Sequence, residues 1–206
     1  MRSTRLLLGL GALVLGSSCA APVGPLPTLA SATVVADFDT YNLRRVGVLP
    51  LSGLRLSEGL ADYLQLALVS EFRATTGVEF VGLRANQLVG LPQFDPHLRG
   101  GYPVESILGL SGRHHLDALV VVTVTDRQAY TPQRLGLQAV LLSAETGMSL
   151  WQADLQLDAG DRRTRSAAES WAFGRGGDLS EDHWELILVS PRRFVQLAAA
   201  QLAKVL

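Results

Sequence analysis

Apolar and polar residues follow strand and helix periods along most of the chain. Residues 44–50 and 78–81 are short β-type runs, and between them apolar residues recur every three or four positions from Ser57 to about Arg73. That spacing predicts an amphipathic helix, for which Ser57 is a suitable N-cap. The run 118–125 is apolar and β-branched almost throughout, which is typical of a strand buried on both faces.

The region from residue 135 to residue 158 predicts a β-hairpin. Two segments alternate between apolar and polar positions, and a turn ending at Gly147 joins them. A glycine at the end of such a turn adopts the left-handed conformation that the reversal needs. The apolar positions that should share one face are Leu135, Leu137, Ala139, Leu141, Trp151, Ala153, Leu155 and Leu157.

Helical patterns precede and follow these strands. Residues 104–115 and 161–173 suit helices, and Ser190 followed by Pro191 marks the start of a last one that runs to the C-terminus. The predicted order is β-α-β-α-β-β-β-α, an α/β fold in which helices pack on a mixed β-sheet. Its predicted core centres on Leu64, Leu68, Leu119, Val121, Trp151 and Leu197.

The N-terminus has the layout of an export signal. Arg2 and Arg5 precede the apolar run 6–15, which is too short for a membrane span of roughly 20 residues. Small residues then lead to Cys19, as in the signal peptide of a bacterial lipoprotein. Gly16 stands where that motif usually has leucine.

Two processing sites compete at this point. Acylation of Cys19 would make residues 1–18 the signal peptide, whereas an ordinary peptidase would cut after Ala20 and discard the cysteine. We favour the lipid, with palmitate among its acyl chains, because Cys19 is the only cysteine and lies where the motif needs it. Residues 19–36 then predict a Pro- and Ala-rich tether, and residues 37–206 a single domain.

Composition limits the kinds of function and of stabilising bond that this chain can have. The chain has 206 residues, of which 48% are hydrophobic and 18% charged, and its net charge is −1. This near-neutral balance gives no electrostatic basis for nucleic-acid binding. With one cysteine, neither an intramolecular disulfide nor a cysteine metal cluster can form.

The histidines offer little for catalysis or metal binding. His114 and His115 are adjacent at a predicted helix end, so their side chains diverge. His183 lies in an acidic stretch whose spacing matches no zinc or calcium motif, and a solvated turn is the better interpretation. We therefore predict no catalytic residue, no metal site and no cofactor.

Several segments together resemble a family of envelope lipoproteins. They are residues 45–50, the helix from Ser57 to Phe72, residues 78–81, residues 116–122, and residues 137–147 running into Leu150 and Trp151. The family includes the curli-secretion lipoprotein, the lipoprotein of Pel polysaccharide export and the lipoprotein activators of penicillin-binding proteins. The N-terminal domain of TolB is similar.

The resemblance implies a non-enzymatic accessory or scaffold protein of secretion, polysaccharide export or cell-wall assembly. It would be held by lipid at the cell envelope, at the outer membrane facing the periplasm, with an envelope protein as partner; a homo-oligomer is compatible with it. Aromatic residues and arginines are common in interface hot spots. Those predicted to bind a partner are Trp171, Phe173, Trp184, Arg162, Arg163 and Arg175. For Trp171 and Trp184 the alternative is that each packs under the sheet.

A second function remains open at this stage. The glycine-rich loops around Gly100 and Gly176 could serve a soluble periplasmic small-ligand binder or a hydrolase. Convergent ionisable groups in a pocket would support that alternative, and a flat apolar surface would support the scaffold.

Overall fold

The computed structural model describes residues 27–88, 104–174 and 183–206, which form a mixed seven-stranded sheet with helices packed on it. The strands are β1 (Ser31–Val34), β2 (Arg45–Val48), β3 (Ser52–Gly53), β4 (Glu79–Gly82), β5 (Ala118–Gln128), β6 (Arg134–Ser143) and β7 (Ser149–Asp158). The helices are α1 (Glu58–Thr76), α2 (Val104–His114), α3 (Arg162–Gly174), α4 (Glu185–Val189) and α5 (Pro191–Ala203). The predicted α/β class and mixed sheet are confirmed.

The sheet has a parallel half and an antiparallel half. Its order is β1-β7-β6-β5-β2-β4, and β3 pairs with β5 away from this path. Strand β2 pairs parallel with β4 on one side and with β5 on the other, because a helical crossover separates each pair of consecutive strands among β2, β4 and β5. Strands β5, β6, β7 and β1 pair antiparallel, so β1 and β4 are the two edges of the sheet.

The main core lies on the sheet face that α1, α3, α4 and α5 cover. Leu64 and Leu68 of α1 and Leu197 of α5 are fully buried there, and Trp151 of β7 is nearly so. Phe72 meets the Trp151 ring edge-on, with 6.2 Å between the ring centroids. The predicted central residues on this face are confirmed.

A smaller core lies on the opposite face, beneath α2. Leu119 and Val121 of β5 pack there with Ile107 and Leu110 of α2. Strand β5 is therefore buried on both faces at its start, as its unbroken apolar run predicts. The predicted core is divided between two faces of one sheet.

The β6–β7 hairpin has the predicted faces. Leu137 pairs with Leu155 and Ala139 with Ala153. Gly147 in the turn has φ = 71°, the left-handed conformation expected of it. The register shifts by one residue at Leu141, which the alternation did not predict.

Three elements differ from the sequence-based prediction. Residues 31–34, expected within an extended tether, form the edge strand β1, which is antiparallel to β7. Residues 52–53, expected in a loop, form β3, and residues 185–189, next to an expected acidic turn, form α4. All three are short elements that long-range pairing or packing stabilises, so local sequence gives little sign of them.

No helix within the described parts of the chain is long and apolar enough to cross a membrane.

Candidate interaction surface

Helix α3 has one buried side and one exposed side. Thr164, Ala167, Ala168, Trp171 and Ala172 face the core. Trp171 is only 6% exposed, so the structure places this predicted partner-binding residue in the core and not at the surface. A tryptophan at that position fills space between the helix and the sheet, and it is not available for docking.

The exposed side of α3 begins with arginines. Arg162, Arg163 and Arg165 lie in the first turn and just after it, and all three are exposed. Arg162 and Arg163 form no ion pair with any residue that the structure describes. The amino end of a helix carries partial positive charge, so each exposed cation there costs about 0.3–1 kcal/mol. Folding alone does not favour this arrangement.

Asp161 offsets part of that cost. It precedes the helix, and its Oδ2 accepts a hydrogen bond of 3.4 Å from the backbone N–H of Thr164. No acidic residue follows in the first turn. Asp158 is also close, because its backbone N–H donates to Thr164 Oγ1, so two carboxylates stand against three guanidinium groups at this end of the helix.

Trp184 lies just before α4, and its side chain contacts an arginine of α3. The indole is half-buried against the core, and the guanidinium carbon of Arg165 lies 5.8 Å from its ring centroid. That distance suits a cation–π contact, which holds the arginine over the junction of the two helices. Trp184 therefore supports an exposed arginine and is itself only partly accessible.

Apolar side chains extend the exposed area. Phe173 at the end of α3 is 41% exposed, and Leu186 and Val189 of α4 are 43% and 52% exposed. The two helices pack against each other. We call the exposed sides of both helices the α3–α4 surface, defined by Arg162, Arg163, Arg165, Phe173, Leu186 and Val189.

Four residues of the sequence-based predictions lie outside the described residues. They are Cys19, Gly100, Arg175 and Gly176. The lipid site and the loops of the small-ligand alternative therefore stay as predictions, and Arg175 is left out of the α3–α4 surface.

An open cleft of about 900 Å³ lies at the end of the sheet where β2 and β5 begin. Ser111, His115 and Asp117 are among its lining residues. The carboxylate of Asp117 is engaged, because its Oδ2 accepts 2.8 Å hydrogen bonds from the backbone N–H groups of Arg44 and Arg45. Asp117 thus holds the start of β2 in place.

Ser111, one of two serines that line this cleft, is not activated. Ser111 Oγ is buried and has no hydrogen-bond partner among the described residues, so it is not bonded to His115. A serine nucleophile needs a base within hydrogen-bond reach. His115 itself ends α2 in the left-handed conformation, with φ = 52°. The arrangement does not assemble the contacts of a serine hydrolase.

The described residues contain no group of three or more His, Cys, Asp or Glu side chains that could hold a metal ion. Lys204 Nζ, just beyond α5, is buried without a hydrogen-bond partner among the described residues, as are Arg45 Nε and Arg193 Nη1. Burial lowers the pKa of the Lys204 amine below the ordinary value of 10.5, because the charged form loses water.

Comparison with known proteins shows likeness only among solved structures. No protein-family model and no curated protein sequence matches the chain. A PelC dodecamer structure from Paraburkholderia phytofirmans has 10% identity and a TM-score of 0.44, over 80% of this chain and 96% of that one.

Two further structures are similar. The lipoprotein GNA1162 of Neisseria meningitidis has 16% identity and a TM-score of 0.40, over 55% of this chain and 79% of that one. The LpoB C-terminal domain of Salmonella enterica has 14% identity and a TM-score of 0.36, over 55% and 82%. PelC and LpoB are of the kinds of envelope lipoprotein that the sequence resembles. TM-scores below 0.5 do not indicate what this chain binds.

Proposed function

We propose that this protein is a non-enzymatic lipoprotein of the cell envelope, anchored through Cys19, which acts by binding a protein partner with its α3–α4 surface. Its role is that of an accessory or scaffold component in secretion, polysaccharide export or cell-wall assembly. The anchor would lie in the outer membrane, with the domain in the periplasm.

The arginines of α3 are the observation that carries the proposal. Three exposed guanidinium groups lie at or just after the positive end of a helix, where the charges of Arg162 and Arg163 lower the stability of the fold. A partner with an acidic surface would convert that cost into affinity, since arginine binds carboxylates in a bidentate geometry. The apolar side chains of Phe173, Leu186 and Val189 would supply the desolvated centre that such an interface needs.

The anchor brings this surface close to a membrane. Only residues 20–28 separate Cys19 from Leu29, whose backbone N–H is held by Gln201, so an extended tether reaches at most roughly 35 Å. A domain held so near a bilayer meets membrane-associated proteins at a high effective concentration. A protein client suits this position better than a freely diffusing substrate.

The test is site-specific photocrosslinking in living cells. A photoreactive amino acid replaces Phe173 in one strain and Leu66 in another. Leu66 is 65% exposed and lies on α1, outside the α3–α4 surface, so it is a matched control. We expect a discrete adduct from position 173 that is absent from position 66.

Charge reversal gives the second half of the test. The double variant Arg162→Glu/Arg163→Glu should remove the adduct while it raises helix stability by a few tenths of a kcal/mol per site, because acidic residues suit this helix end. Loss of the adduct with unchanged or higher thermal stability supports a functional surface. Equal adducts with and without the arginines, or adducts from position 66 alone, would contradict the proposal.

A further inference from the structure

Strand β1 forms an edge of the sheet that no other described strand covers. All four of its residues are exposed, and it lies at the end of the strand order. Proteins normally protect such edges with charged residues, proline or a bulge, because free backbone groups pair readily with other strands. Residues 31–34 read Ser-Ala-Thr-Val and contain none of these.

The opposite edge of the sheet is different. Strand β4 begins with Glu79, whose carboxylate lies 3.7 Å from the guanidinium of Arg45. A charge pair at an edge opposes the approach of another strand. The contrast confines the unprotected edge to β1.

The backbone direction along β1 follows from its pairing with β7. The N–H of Val35 donates to the carbonyl oxygen of Leu150 at 3.0 Å, which continues the ladder in which Val34 pairs with Trp151. In an antiparallel ladder, alternate residues direct both backbone groups at the same neighbour. The N–H and C=O groups of Ala32 and Val34 therefore point away from the sheet.

We propose that β1 pairs antiparallel with β1 of a second copy, which joins two sheets across a twofold axis at Thr33. This register places Ala32 of each copy opposite Val34 of the other as hydrogen-bonded pairs, so all four outward groups of each strand are used. Thr33 meets its own counterpart in a close, non-hydrogen-bonded pair. A twofold interface requires such self-complementarity.

The side chains fit this register. Ala32 and Val34 lie on the face of the sheet that carries Trp151 and Ala153, their partners in β7. Apolar residues thus oppose apolar residues on one face, and two hydroxyls oppose each other on the other face. No like charges meet, which would otherwise destabilise the pair. This inference does not depend on the α3–α4 surface or on the identity of any partner.

Disulfide trapping tests the register in cells. In a Thr33→Cys variant the two thiols would lie on residues with about 4.5 Å between Cα atoms, within the range that a disulfide spans. Cys19 does not interfere, because it is either acylated or removed. Ser31→Cys is the matched control: it shares the face and the exposure, but its two copies would be four residues out of step, about 13 Å apart.

Mild oxidation should convert the Thr33→Cys chain to a dimer on a non-reducing gel and leave the Ser31→Cys chain monomeric. Dimers from position 31 but not position 33, or a disulfide from position 33 to a different protein, would overturn the proposal.

Charge variants separate loss of pairing from loss of folding. Thr33→Arg and Thr33→Glu each place like charges across the axis, and each purified chain should self-associate several-fold more weakly in sedimentation. A mixture of the two should restore the dimer, because opposite charges then meet. Wild-type association by each variant alone, or no recovery on mixing, would contradict pairing through β1.

Discussion

Gln201 of α5 accepts a hydrogen bond from the backbone N–H of Leu29 through its Oε1, at 2.9 Å. The two residues are 172 positions apart, and Gln201 is fully buried. This bond fixes the segment that leads from the tether into β1 onto the last helix.

Replacement of Gln201 by Met should loosen this segment with little effect on the global fold. The variant loses the bond to Leu29, worth about 1 kcal/mol, but it also removes the side-chain Nε2, which is buried without a partner. We expect amide exchange at Leu29, Ser31 and Thr33, whose N–H groups point into the fold, to accelerate roughly fivefold, with a nearly unchanged melting temperature. Gln196→Met, on the same helix but away from Leu29, is the control; equal protection in both variants would show that Gln201 does not hold the segment.

Truncation of Leu64 tests the packing of α1 on the sheet. Its side chain is fully buried, so Leu64→Ala should reduce the free energy of unfolding by about 2–5 kcal/mol. Leu66→Ala, two residues along the same helix but exposed, should change it by less than about 0.5 kcal/mol. Chemical denaturation of the two variants makes the comparison, and similar losses would mean that the helix face is assigned incorrectly.

Lys204 makes the free energy of unfolding depend on pH in the alkaline range. Burial lowers the pKa of its amine in the folded state, so near neutral pH the fold carries the cost of a buried charge. Stability therefore rises as pH increases from the folded pKa towards the unfolded value of 10.5, because the unfolded chain then binds more protons. Lys204→Met should stabilise the protein at neutral pH, and its advantage should shrink in that window. A constant advantage at every pH would contradict this account.

Sequence periodicity predicts the elements whose apolar pattern lies within one continuous segment. The hairpin around Gly147 and the helix after Pro191 are confirmed, because alternation and capping signals are contained within each segment. Strand β1 could not be found in this way. Its four residues are all exposed, and an alternation this short does not distinguish a strand from an extended tether. They become a strand only because β7, more than a hundred residues later, offers an edge.

The candidate surface was only partly predictable. Arg162 and Arg163 are exposed as a charged helix face would be, but composition cannot tell which aromatic faces inwards. Trp171 lies three and four residues after Ala168 and Ala167, both buried, and this helical spacing was the available signal that it belongs to the core. The sequence gives no sign that Leu186 and Val189 belong to this surface, because α4 has only five residues and shows no helical period of its own.

We propose that a lipid on Cys19 holds this domain at the cell envelope. Metabolic labelling with palmitate, followed by mass spectrometry of the N-terminal peptide, detects that lipid and the first residue of the mature chain. We expect a labelled, membrane-associated chain that begins at Cys19, and an unlabelled chain released from the membrane for Cys19→Ala. An unlabelled wild-type chain that begins at Ala21 in the soluble periplasmic fraction would contradict it.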